Sequence, residues 1–122
     1  MRHRQVLDTV AGLAHPDSKS PRESLLRVGL HVAGAPTPAI NAAIVENGEW
    51  LGEGDFVWRL YKVTADYDGA HHDEPGQRHQ DAQTRDDYAA AGWRHVAVTS
   101  AMSDDQAVER ILRALRARGW PE

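Results

Sequence analysis

The chain has 122 residues, a formal net charge of −4 and a pI of about 5.9. This suits a single domain with one modest core and speaks against a basic, sequence-indifferent coat for nucleic acid. It has no cysteine, which excludes disulfide scaffolds and thiolate zinc sites. No apolar run approaches the roughly 20 residues that span a bilayer. The basic start Met1-Arg2-His3-Arg4 leads into residues 6–13, which Asp8 and Gly12 interrupt, unlike a signal peptide. The expectation is a cytoplasmic protein with no membrane partner.

In chain order, residues 2–14 form a short amphipathic helix with Val6, Leu7, Val10 and Leu13 on one side, and residues 15–19 link it to the next helix. Two regions are therefore expected: an N-terminal helix and linker over 1–19, and one domain over 20–122. Ser20-Pro21-Arg22-Glu23 is a helix start, with Ser at the N-cap, Pro at the first helical position and Glu at the third. That helix runs to Gly34. Residues 40–46 read as a strand, Asn47-Gly48 as a hairpin turn, and 50–58 as a second strand. Arg59-Leu60 makes a tight connection into a third strand over 61–67, with Val63 and Ala65 on one face and Thr64 and Asp66 on the other. A turn centred near 59–60 sets Asp55 close to residue 64, with Asp66 an alternate position away on the same face.

Residues 69–77 form a polar loop, and a helix over 78–91 ends at Gly92. Residues 94–99 are a fourth strand, and Ser103-Asp104-Asp105 caps a last helix reaching about Arg118. The order α-α-β-β-β-α-β-α indicates an α/β fold, a mixed sheet flanked by helices.

The densest chemistry lies in Gly54-Asp55-Phe56 and Asp66-Tyr67-Asp68-Gly69-Ala70-His71-His72. Carboxylates on neighbouring strand ends suit a hard cation such as Mg²⁺, and imidazole can act as a base. A carboxylate beside the apolar run Phe56-Val57-Trp58 needs water or a ligand.

These residues resemble the PD-(D/E)xK nuclease superfamily, and more closely its branch related to very short patch repair endonucleases. The resemblance runs from about Ser20 to Trp120. It is carried by Ser20-Pro21-Arg22-Glu23-Ser24 with Leu25 and Arg27, Gly54-Asp55-Phe56-Val57-Trp58, Asp66-Tyr67-Asp68-Gly69 with His71 and His72, Asp81 with Arg85, and Ala91-Gly92-Trp93. It implies a restriction-endonuclease-like fold and hydrolysis of phosphodiester bonds in DNA with Mg²⁺ or Mn²⁺. It further implies Asp55, Asp66 and Asp68 as metal ligands, His72 (or His71) as catalytic base or acid, and Glu23 as an acidic residue facing the site. Asp66 stands where the branch usually has Glu, and Ala97 where it often has Arg. In actinobacterial proteins the branch often follows a winged-helix, antitoxin-like regulator domain. That makes such a domain of the same gene product an expected partner, and this chain the expected C-terminal part of a longer protein. The alternative is a non-catalytic DNA-binding or protein-contact module of a regulator or toxin–antitoxin system that keeps the fold.

Plainer readings stand beside these. Glu23 can complete a capping box with Ser20, and Asp68-Gly69 can be a turn. Asp81 and Arg85, four apart on a helix, can be a surface ion pair, while Arg78 and Arg85 can instead hold phosphates. His79 and His95 read as incidental. Trp58, Trp93 and Trp120 read as packing. Arg110, Arg113, Arg116 and Arg118 form the wet face of the last helix, opposite Ile111, Leu112 and Leu115.

Overall fold

The computed structural model describes residues 21–68 and 75–121. Within them lie helix α1 (Pro21–Val32), strands β1 (Ala39–Glu46), β2 (Glu49–Trp58) and β3 (Val63–Asp68), helix α2 (Pro75–Ala90), strand β4 (Arg94–Thr99) and helix α3 (Asp104–Ala117). The expected helix over 2–14, Ser20, and the loop with Gly69, His71 and His72 lie outside the described residues.

The four strands form one mixed sheet in the order β1-β2-β3-β4. The first three are antiparallel neighbours, and β3 pairs with β4 in parallel. A parallel pair needs a crossover, and α2 supplies it. The fold is therefore α/β.

Strand alternation divides the core in two. Phe56, Trp58, Val63, Ala65, Val96 and Val98 point to one face and pack with Leu26 and Leu30 of α1 and Ala107, Ile111, Leu112, Ala114 and Leu115 of α3. Ile44 and Val57 point to the other, where they meet Tyr88 of α2 and Trp93. The sheet is thus sandwiched between α1 with α3 and α2. The expected packing roles of Trp58 and Trp93 hold, at 3% and 6% exposed, and Trp120 packs half-buried against the larger cluster.

Local signals explain most element ends. Asn47 and Gly48 both take positive φ, 52° and 81°, as a two-residue hairpin turn of the primed kind requires. Ser103 accepts from the Gln106 amide, and the Gln106 side chain accepts from the Ser103 amide, which closes a capping box on α3. The arginines at 110, 113, 116 and 118 are exposed, as the amphipathic pattern predicts.

Two expectations need correction. Helix α2 starts at Pro75, three residues before the predicted start, because proline suits the first helical turn, where no intrahelical donor is needed. The connection between β2 and β3 is also longer than Arg59-Leu60. It takes in residues 59–62 and closes with Lys62 at φ 54°, while Tyr61 N donates to Trp58 O. The register becomes Phe56↔Ala65, Val57↔Thr64 and Trp58↔Val63. One step further, Asp55 stands opposite Asp66 rather than opposite Thr64.

Gly54 is required for this packing. A Cβ there would overlap Thr64 Oγ1 and come within 2.8 Å of Val57 Cγ2. Gly54→Ala is expected to cost about 1–3 kcal/mol as an overpacked site. Part of that should return in the Gly54→Ala/Thr64→Ala double variant, measured as coupling in a urea-unfolding cycle.

Candidate functional site

Asp55 of β2 and Asp66 of β3 are the centre of the candidate site. Directly opposed carboxylates would repel one another across a ladder. Here each is instead bonded to the backbone of the opposite strand. The Asp55 amide donates to Asp66 Oδ1 at 2.9 Å, and the Tyr67 amide donates to Asp55 Oδ2 at 2.9 Å. The side chains therefore replace regular ladder bonds at this point, and the sheet holds two carboxylates together.

A third group touches Asp66. His95 Nε2 lies 2.8 Å from Asp66 Oδ2, with the two side chains 13% and 22% exposed. The sequence alone marks His95 as incidental, and the structure places it on the candidate site. Its signal is present in part: strand alternation puts His95 on the face opposite Val96 and Val98, with Thr64 and Asp66. What the sequence lacks is the parallel pairing Thr64↔His95 and Asp66↔Ala97, which brings β4 beside β3.

Behind His95 stands Tyr88 of α2, 1% exposed, its ring stacked on the imidazole with centroids 5.9 Å apart and planes 18° from parallel. Gly52 makes room for it, since a Cβ there would overlap the Tyr88 hydroxyl. Burial pushes the Tyr88 hydroxyl up to about 12, with the negative charges of Asp66 and Glu53 adding to the shift.

A second residue that sequence reasoning misses is Asn41. It falls between the pairs Ile40↔Phe56 and Ala42↔Gly54, so it stands opposite Asp55 on the β1 side, at φ 47°. Asparagine is one of the few residues that take this conformation readily. Asn41, Asp55, Asp66 and Ala97 thus form one row across all four strands.

Of the remaining sequence candidates, Glu23 is buried, at 8% exposed, in the first turn of α1. That turn lies against the far end of β3: the Arg22 guanidinium sits 5.5 Å from the Tyr67 ring centroid, and its Nε pairs with Asp104 at 3.3 Å. Helix α1 itself packs on the sheet face of Val63 and Ala65, the face opposite to Thr64 and Asp66. The alternative role of Glu23 as the cap partner of Ser20 falls outside the described residues. The backbone of Asp68 ends β3, in register with Thr99. The Asp68, Arg78, His79 and Asp81 side chains, and both histidines of the 71–72 pair, fall outside what is described.

Two neighbouring carboxylates suit a hard divalent cation. Each carboxylate oxygen can accept about two bonds, and Mg²⁺ commonly takes one or two carboxylates while keeping several waters. Among the described residues no group of three or more His, Asp or Glu converges on a single point. The protein donors visible for a cation are thus the two aspartates.

Comparison with known proteins yields no match: no family model, no curated protein and no solved structure aligns significantly with this chain. Among the described residues no helix is long and apolar enough to cross a membrane.

The Tyr88 environment generates a testable pH dependence. The folded state holds the phenol proton up to about 12, while the unfolded chain releases it near 10.0. The folded state therefore binds more protons between these values, and stability falls as pH rises through that window. Tyr88→Phe should remove this contribution. The stability difference between wild type and variant, read by urea unfolding, should be constant below pH 9 and shift in favour of the variant between pH 10 and 12.

Proposed function

We propose that this chain is a metal-dependent endonuclease-like domain that hydrolyses phosphodiester bonds in DNA, with a restriction-endonuclease-like fold of the PD-(D/E)xK type. The observation that carries the reading is the Asp55–Asp66 pair, held opposed on β2 and β3 by amides of the partner strands. Two like charges facing one another make a place where a positive charge is favoured between them.

Under this reading Asp55 and Asp66 hold Mg²⁺ or Mn²⁺, with Asp68 as a further ligand or water-orienting group. When bound, the cation supplies Lewis acidity for attack of water on the phosphodiester. The chain's own residues position and exchange protons. The Asp55 and Tyr67 amides fix the two carboxylates, His72 acts as general base or acid, and Glu23 adds an acidic group from α1. DNA is the partner, and a winged-helix regulator domain of the same gene product is the proposed neighbour. The proposed compartment is the cytoplasm.

A second reading has its own observation. Both carboxylates already accept backbone donors, and Asp66 also has His95. The pair can therefore act as a clasp between β2 and β3 without a cation, in a non-catalytic module for DNA or protein contact.

Metal titration separates the two. A cation that binds only the native state stabilises it by about 2.7 kcal/mol at a hundredfold excess over Kd. The nuclease reading expects Mn²⁺ or Mg²⁺ to raise the wild-type melting temperature by several degrees. Asp55→Asn, which keeps an acceptor for the Tyr67 amide, should fold without responding to metal. Supercoiled, linear and mismatched DNA should be cut by wild type with Mg²⁺ or Mn²⁺ and left intact by Asp55→Asn. An unshifted wild-type melting temperature and uncut DNA would leave the clasp.

A further inference from the structure

We propose that His95 is a positioning residue that fixes the Asp66 carboxylate in the orientation from which it binds a cation, an inference that rests on the reading of Asp55 and Asp66 as cation ligands.

The β3–β4 register creates the contact. The residue beside Asp66 in β4 is Ala97, whose methyl group offers no hydrogen bond. The polar partner comes instead from two residues earlier on the same face. His95 pairs in register with Thr64, and its ring extends along β3 to put Nε2 at 2.8 Å from Asp66 Oδ2. An ionised carboxylate can only accept, so the proton of this bond is carried by Nε2.

The two oxygens of Asp66 are then held from two sides. The Asp55 amide donates to Oδ1 and His95 donates to Oδ2. A carboxylate with one partner can still swing about its terminal torsion, which is broad. With a partner on each oxygen the plane is fixed, and one acceptor site on each oxygen is left for a ligand. The ordering is done before the ligand arrives and is not charged to its binding.

His95 is itself held. Tyr88 of α2 stacks on the ring, and the space for Tyr88 depends on the missing side chain of Gly52. A line of contacts therefore runs from α2 through His95 to Asp66 and on to the Asp55 amide, from helix to β4 to β3 to β2. Partners of this kind, which hold a ligating group rather than the ion, change metal affinity by about 10–100-fold when removed.

The test uses the whole chain and two readouts. The first is the amide proton of Asp55, a direct reporter on Asp66 Oδ1, followed by NMR chemical shift and hydrogen exchange without metal. The second is Mn²⁺ affinity by calorimetry. His95→Leu removes the donor. His95→Gln places an amide N–H at about the position of Nε2 and should restore it.

In His95→Leu the Asp55 amide should shift and exchange faster, while amides of α3 stay as in wild type. Its Mn²⁺ affinity should fall by about tenfold or more. His95→Gln should lie close to wild type in both. Should His95→Leu not fold, His95→Asn takes its place, since it keeps a polar side chain that stops short of Asp66. An Asp55 amide unchanged by loss of the donor, or an unchanged Mn²⁺ affinity, overturns the proposal. A wild-type chain that binds no Mn²⁺ overturns the cation reading of the pair, while a responsive Asp55 amide still supports His95 as the residue that orients Asp66.

Discussion

Two amide-to-carboxylate bonds across β2 and β3 are what the rest of this structure is arranged around. At the position where Asp55 faces Asp66, an ordinary antiparallel ladder would leave two negative charges about 5 Å apart. The chain instead gives each carboxylate an amide from the other strand. Hydrogen bonds to charged groups are worth about 1.5–3 kcal/mol each, more than neutral ones. They offset the repulsion and keep both side chains adjacent. The sheet itself becomes the holder of the site.

Everything near the pair serves that geometry. The four-residue turn with Lys62 in the left-handed region sets the register that opposes the two aspartates. Gly54 has no side chain, so Thr64 can lie across β2 beside them. Asn41 absorbs a positive φ opposite Asp55. Backbone conformations of this kind cost energy and persist only where the surroundings over-determine them. From the other side, α2 supplies Tyr88, which backs His95 against Asp66. The larger apolar cluster, between the opposite face and α1 with α3, supplies rigidity without polar groups.

The sequence is legible where the signal is local. Asn47-Gly48, the cap at Ser103, the apolar face of α3 and the limits of β4 are each decided by a few adjacent residues, and each is found where it is expected. The alternation of Val63 and Ala65 against Thr64 and Asp66 is local too, and it assigns both faces of β3. The register of β2 against β3 is not legible. It depends on whether Lys62 adopts positive φ, and lysine carries no special preference for that region. An error of two residues preserves the face but changes the partner, so the sequence puts Asp66 on the correct side and in the wrong place. His95 escapes for a different reason. Its partner is set by a parallel pairing reached through a helical crossover, which no short window of residues records.

The central claim is that the opposed pair is built to bind a cation, rather than to clasp two strands. Crystals of the chain soaked in Mn²⁺ and measured for anomalous scattering address it directly. A cation site predicts one anomalous peak within coordination distance of oxygens from both Asp55 and Asp66, with His95 still bonded to Asp66. Crystals with no peak at that place, in which both carboxylates keep only their amide and imidazole partners, would contradict it.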